Sequence, residues 1–119
     1  MTKQINMVMD YRYIYKYIYI IYIYIGQVVN GLENGKGTYY FNDGERYEGE
    51  FKNGKIEGRG IFYHKNDRYE GDWKNNNMEG KGIYYYNNGD REMGDYINDK
   101  KVGKHVKLTN NGEVKVNNY

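Results

Sequence analysis

Between Arg46 and Tyr85 the chain alternates large apolar and polar side chains in short runs broken by glycine and asparagine. Tyr47-Glu48-Gly49-Glu50-Phe51 and Tyr69-Glu70-Gly71-Asp72-Trp73 have a period of two. In an extended strand that period puts Tyr, Gly and the aromatic on one face and the carboxylates on the other. Asn-Gly at 30–31 and 53–54 predicts tight reversals, because both residues tolerate positive φ. Gly-x-Gly followed by apolar residues then predicts a second, antiparallel arm. Asn42-Asp43-Gly44, Asn87-Asn88-Gly89 and Asn110-Asn111-Gly112 turn the chain into the next pair. Each pair of arms is a β-hairpin.

The hairpins repeat. Glu57-Gly58-Arg59-Gly60-Ile61-Phe62-Tyr63 returns as Glu79-Gly80-Lys81-Gly82-Ile83-Tyr84-Tyr85, and the register divides the chain into units at 24–46, 47–68, 69–91 and 92–114. All sixteen glycines fall at five positions of the unit: the third, eighth, twelfth, fourteenth and twenty-first. Glycine inside a strand costs about 0.5–1 kcal/mol relative to alanine. Sixteen of them cost on the order of 10 kcal/mol, as much as a whole domain's stability. Geometry must therefore require them, and the expected use is room for the rings of Phe51, Trp73 and Tyr96 to lie flat across the neighbouring strand. One hairpin cannot bury its own face, so stability is expected to come from stacking.

Tyr-x-Gly-x-(Phe/Trp)-x-x-Gly-x-x-x-Gly-x-Gly at this spacing resembles the MORN (membrane occupation and recognition nexus) repeat over residues 24–114. Units two and three match best. Unit one has Val28 where an aromatic is usual. Unit four has Glu92 for the first Tyr, Asp99 for the turn glycine, His105 for the second glycine of Gly-x-Gly, and Lys107 for an aromatic. A polar, weakened final unit is what the end of a solenoid is expected to show. The expected fold is all-β: an elongated single-layer antiparallel sheet of stacked hairpins, with a low-complexity segment at 1–23 and a tail at 115–119.

Composition narrows the picture. Seventeen tyrosines against three phenylalanines and one tryptophan, with no Ala, Ser, Pro or Cys, suit a thin, half-exposed aromatic layer and make large ligand cavities unexpected. A net charge of +2 argues against nucleic acid as a partner. Without Cys there are neither disulfides nor thiolate metal sites, which fits a reducing, cytoplasmic setting. No cleavable leader is legible at the N-terminus. Tyr11–Ile25 alternates Tyr and Ile with only Arg12 and Lys16 as charges. It is short for a membrane-spanning helix, and its β-formers predict an extra strand. Tyr also suits a lipid–water boundary. In-frame TATATA codons spell the same alternation, so translated simple-sequence DNA, or a start set too far upstream, is the favoured reading of the tract.

Chemistry is scarce. The serine and cysteine nucleophiles are absent, and Thr2, Thr38 and Thr109 have no neighbouring histidine. His64 stands where sister units have Phe41 and Tyr86, and it reads, like His105, as an ordinary sheet residue. Glu48, Glu50, Glu70 and Asp72 recur because the unit recurs, and are expected to form a solvated face of weak ion pairs with Lys52, Lys74, Arg59 and Lys81. The glycines do not lie between a strand and a helix, so no phosphate loop is expected. No catalytic residue, cofactor or metal is expected.

Two binding candidates remain. One is an aromatic face of Tyr47, Phe51, Tyr69, Trp73 and Tyr96, with Tyr39, Phe62 and Tyr84 from the second arms; either a partner or stacking between units must cover it. The other is a basic patch of Lys100, Lys101, Lys104 and Lys107, with His105 and Lys115 nearby, which could attract anionic lipid but is interrupted by Asp95, Asp99 and Glu113. The resemblance implies a non-catalytic scaffold for proteins, with acidic phospholipids second, at membrane, cytoskeletal or ciliary structures. It also admits a fragment of a larger enzyme such as a phosphatidylinositol phosphate kinase. The rival reading is a carbohydrate-binding repeat, for which one Trp is few. Open sheet edges predict self-association, as a homodimer through an edge.

Overall fold

The computed structural model describes the backbone of residues 4–14 and 17–119, and side chains from residue 23 onward. Expectations for the side chains of the Tyr/Ile tract, the lipid boundary among them, lie outside the described residues. Ten strands form one sheet in sequential order, every neighbouring pair antiparallel. They are β1 (Gln4–Ile14), β2 (Tyr17–Val29), β3 (Leu32–Phe41), β4 (Arg46–Lys52), β5 (Lys55–His64), β6 (Asp67–Lys74), β7 (Asn77–Tyr85), β8 (Arg91–Ile97), β9 (Lys100–Leu108) and β10 (Val114–Asn118). Nine inter-strand steps of about 4.8 Å give about 43 Å, and the longest dimension is 49 Å. No helix among the described residues is long and apolar enough to cross a membrane.

The turns form as the Asn-Gly pairs predict. Asn30 and Gly31 have φ of 52° and 77°, and Asn53 and Gly54 have 50° and 81°. Asn75-Asn76 and Asn98-Asp99 adopt the same left-handed pair in units three and four. Short amide and carboxylate side chains tolerate this region, and they add a tie that glycine cannot. Asn76 Oδ1 accepts the Ile56 amide at 2.9 Å, and Asp99 Oδ1 accepts the Met78 amide at 2.7 Å. Asp99 in place of the turn glycine is therefore a clamp on the preceding unit rather than a defect.

The glycines divide their labour, and here the expectation about the rings needs correction. Each hairpin carries one register shift: an advance of two residues on the first arm, Gly26 to Val28, Gly49 to Phe51, Gly71 to Trp73 and Met93 to Asp95, faces an advance of four on the second arm, which holds the extra residues. Opposite the shift, Gly35, Gly58, Gly80 and Gly103 take φ between 68° and 94°. The third- and fourteenth-position glycines instead pair across strands in one row: Gly26, Gly37, Gly49, Gly60, Gly71, Gly82 and Gly94. The rings above this row are Tyr24 over Gly37, Tyr47 over Gly60 and Tyr69 over Gly82. Phe51, Trp73 and Tyr96 stand on edge between them. Each tyrosine hydroxyl reaches past the glycines to a carbonyl three residues on: Tyr24 to Gln27 at 2.7 Å, Tyr47 to Glu50 at 3.0 Å and Tyr69 to Asp72 at 3.3 Å. A phenol spans the gap and satisfies its hydroxyl there, a tie that phenylalanine could not make.

The rings form one edge-to-face series through the sheet. Centroids lie 5.0 Å apart for Tyr24–Phe51, 5.2 Å for Phe51–Tyr47, 5.3 Å for Tyr47–Trp73 and Trp73–Tyr69, and 5.1 Å for Tyr69–Tyr96. Interplanar angles run from 80° to 89°. Such pairs contribute about 0.5–1.5 kcal/mol each beyond area burial. This series is the core.

Residues 115–119, expected to be a tail, continue the sheet as β10. Tyr119 stands twenty-three residues after Tyr96. Its amide and carbonyl both bond Gly103, at 3.0 and 3.3 Å. It occupies the place that Trp73 holds opposite Gly58 and Tyr96 holds opposite Gly80.

Candidate functional site

The proposed aromatic face is the core. Tyr47 is 0 % exposed, Tyr69 1 %, Tyr96 2 %, Phe51 5 % and Trp73 8 %. Stacking between units covers these rings, so together they form no open docking surface; Tyr69 and Trp73 reach only a small cavity on this face. Tyr39, Phe62 and Tyr84 pack against them and stay partly exposed. The layer expected to be half-exposed is dry where these rings are buried.

Burial makes these phenols hard to ionise. It pushes Tyr24, Tyr84 and Tyr96 up to about 12, and raises Tyr47 and Tyr69 as well. The folded value lies above the unfolded value of 10.0. The stability these groups contribute is therefore complete below pH 10 and is lost as pH rises towards 12. An alkaline titration followed by phenolate absorbance is expected to show two phases. Exposed tyrosines ionise first, and the buried set ionises only together with loss of the far-ultraviolet strand signal.

The basic patch does not form as one surface. Strand alternation puts Lys101, His105 and Lys107 on the ring face of β9, and Lys100 and Lys104 on the other. The ring-face pair is engaged: Lys101 Nζ lies 2.7 Å from Glu92 Oε2, and Lys107 Nζ lies 3.4 Å from Asp90 Oδ2. Lys100 and Lys104 are exposed, as is Lys115, whose Nζ lies 4.0 Å from Glu113 Oε2.

Unit four is not a decayed end. Its departures from the repeat meet in one buried cluster that spacing alone does not reveal. Glu92, 2 % exposed, occupies the core-tyrosine position, and His105, 0 % exposed, occupies the fourteenth-position glycine. The imidazole fills the space over Gly94 that a tyrosine ring fills in the other units. It extends the edge-to-face series to Tyr96 at 5.4 Å and Tyr119 at 5.0 Å. The ring has changed strands. Glu92 accepts from Lys101, from Tyr119 Oη at 3.1 Å and from Asn117 Nδ2 at 3.2 Å, with His105 Nδ1 at 3.3 Å. Burial alone would raise the Glu92 carboxyl, but Lys101, Tyr119 and Asn117 outweigh it and hold the group below its ordinary range.

The opposite face carries three cross-strand rows. Tyr40, Arg46, Tyr63, Arg68, Tyr85 and Arg91 alternate in one. The Arg46 and Arg68 guanidinium carbons lie 3.7 and 3.8 Å from the Tyr63 and Tyr85 ring centres. Their Nε atoms lie 3.0 Å from Glu48 and Glu70. The second row runs Thr38, Glu48, Ile61, Glu70, Ile83, Met93, Val106 and Val116. The third pairs Lys36 with Glu50, Arg59 with Asp72 and Lys81 with Asp95. Three of the recurring carboxylates are thus in ion pairs, Asp72 with Arg59 as expected, and Glu48 and Glu70 with Arg46 and Arg68 instead. Lys52 and Lys74 join no ion pair among the described residues. Glu50 and Asp72 also accept the Arg59 and Lys81 amides at 2.6 and 3.3 Å.

Between the second and third rows the glycine backbones floor an open groove of about 900 Å³ across β2–β6, edged by Ile25, Thr38 and Ile61 on one side and Gln27, Lys36 and Arg59 on the other. Towards β10 the same face turns apolar, with Met93, Ile97, Val114 and Val116 exposed by 42 to 66 %. A family model described as the MORN repeat matches residues 24–46, 47–67 and 69–91, more than half of the chain. No curated protein matches the chain. The β8–β9 hairpin lies beyond the matched units, yet it repeats their register shift and turn.

Proposed function

The chain belongs to the MORN repeat family, a non-catalytic repeat module, and from that premise we propose that it is an adaptor holding an extended segment of a partner protein along the glycine-floored groove. The observation that carries this reading is the groove itself. It crosses five strands, exposes backbone along its floor, and mixes apolar walls with both signs of charge. That mixture suits a polypeptide better than a uniformly anionic partner. Cytoplasmic residence, beside a membrane or on cytoskeletal or ciliary structures, is the setting in which such an adaptor would work.

Contact with acidic phospholipid is the second reading. Lys100 and Lys104 flank exposed Ile97 and Val116 on the outer face of β8–β10, a pairing that suits a lipid surface. Self-association through the open edge of β10 is compatible with either. A carbohydrate module is disfavoured, because the single Trp73 is buried in the core.

Proximity labelling in the native cell, comparing the parent with an Arg59→Glu/Ile61→Glu variant, separates the readings. Loss of the labelled partners with the fold intact supports the groove. Unchanged labelling, together with flotation on anionic liposomes that Lys100→Ala/Lys104→Ala abolishes, supports lipid and overturns the groove reading. Lys101 stays unaltered because it neutralises buried Glu92.

A further inference from the structure

The ring face carries three successive grooves between second arms, alike in backbone but not in contents. In the first, Phe41 closes the space, 4.8 Å from Tyr39 and 6.1 Å from Phe62. In the third, Tyr86 takes the same place and the chain's own ammonium groups fill the rest. Lys101 Nζ lies 3.2 Å from Tyr86 Oη and 5.1 Å from the Tyr119 ring centre, and Lys107 Nζ lies 4.7 Å from the Tyr86 ring centre. The middle groove has His64 in the closing position, where it bonds Glu45 rather than packing on a ring, and both side chains line the space. Met78 stands opposite Trp73 where Lys101 stands opposite Tyr96. What remains open is a cavity of about 350 Å³.

We propose that this middle cavity binds a small quaternary or alkylated ammonium group, held by Phe62, Trp73 and Tyr84 with Met78 and countered by Glu45 and Asp99. Phe62 and Trp73 lie 6.2 Å apart with planes tilted by 52°, so they present a corner rather than a flat stack. Tyr84 is oriented by its hydroxyl bond to Asp67 at 3.1 Å. Ring faces attract cations, and thioether sulfur is soft and polarisable. The surrounding charges favour a cation. Asp99 spends Oδ1 on the Met78 amide, and Glu45 holds His64. Asp67 holds Tyr84 Oη and the Asn87 amide. The Arg68 guanidinium is on the other face, over Tyr85 and against Glu70. One repeat further on, the protein fills the corresponding place with its own ammonium, which shows the chemistry the groove accepts. An organic ammonium fits the ring corner where a metal ion would lack ligands.

Trp73, the single tryptophan, lines the cavity and reports on it. Titrating the full chain with choline chloride at constant ionic strength is expected to change its fluorescence saturably in the millimolar range. The neutral carbon isostere of choline should bind about ten-fold more weakly. Met78→Lys, which supplies the cation that Lys101 supplies next door, should abolish the response with the strand signal unchanged. Asp99→Asn should weaken it several-fold while keeping the turn, since Asn76 makes the same bond to Ile56. If Met78→Lys fails to fold, Asp99→Asn decides. A non-saturating response, equal binding of the isostere, or Asp99→Asn binding choline as the parent does would overturn the proposal.

Discussion

Replacing Gly82 by alanine is expected to cost about 3 kcal/mol and to lower Tm by about 10 °C or more. The backbone there does not need glycine, since φ at Gly82 lies outside the left-handed region. What needs glycine is the Tyr69 ring, whose atoms come within 3.0 Å of any added Cβ. The ring cannot step aside. Trp73 stands on edge at 5.3 Å, Tyr96 at 5.1 Å, and the hydroxyl is tied to the Asp72 carbonyl. A methyl group would therefore have to lift the ring from the sheet and with it two neighbouring contacts. Gly112→Ala provides the contrast. There φ is 90° but an added Cβ meets open space, so only the backbone term applies, about 1 kcal/mol. Thermal melts of the two variants measure the difference. Equal losses would mean that ring packing is not the reason for the glycine row.

The second large effect concerns the exchange of ring and acid in unit four. Glu92→Tyr alone should cost about 3 kcal/mol or more, because the new ring and His105 claim the same space over Gly94, and Lys101 loses its carboxylate. His105→Gly alone should cost a similar amount, about 3 kcal/mol, by emptying a fully buried site in the series. The double variant restores the arrangement of units two and three and should recover about 2 kcal/mol relative to the sum. Lys101, about a quarter exposed, can turn to solvent in that background. A double-mutant cycle by chemical denaturation gives the coupling. Strict additivity would mean that Glu92 and His105 do not share one site.

The repeat, its hairpins and the turn positions are legible in the sequence because each rests on local chemistry. Alternation sets the strand faces, and Asn-Gly sets the reversals. The roles of individual glycines are less legible. Positive φ at Gly58 and a ring over Gly60 leave the same letter two residues apart. Only coordinates distinguish Tyr47 lying over glycine from Phe51 standing beside it. Whether a partner or stacking covers the aromatic face is not legible, because period two assigns side chains to a face without saying whether neighbours cover them. The basic patch was misread because nearness along β9 ignores alternation and the acids on β8. Unit four shows a subtler limit. Glu92, Lys101, His105 and Lys107 are four unrelated losses when compared with the motif, and one compensated cluster when the strands are paired. A signal was present in Tyr119, spaced as Trp73 and Tyr96 are, but it lies past the last full unit.

The account depends on tyrosine rings lying against a cross-strand row of glycines. Glycine α-proton chemical shifts test this most directly, since a proton facing a ring is moved strongly upfield. Gly37, Gly60 and Gly82 are expected to show such shifts, while Gly31, Gly44 and Gly112, with nothing near them, stay at ordinary values. Ordinary shifts at all six would contradict the packing and the sheet built on it.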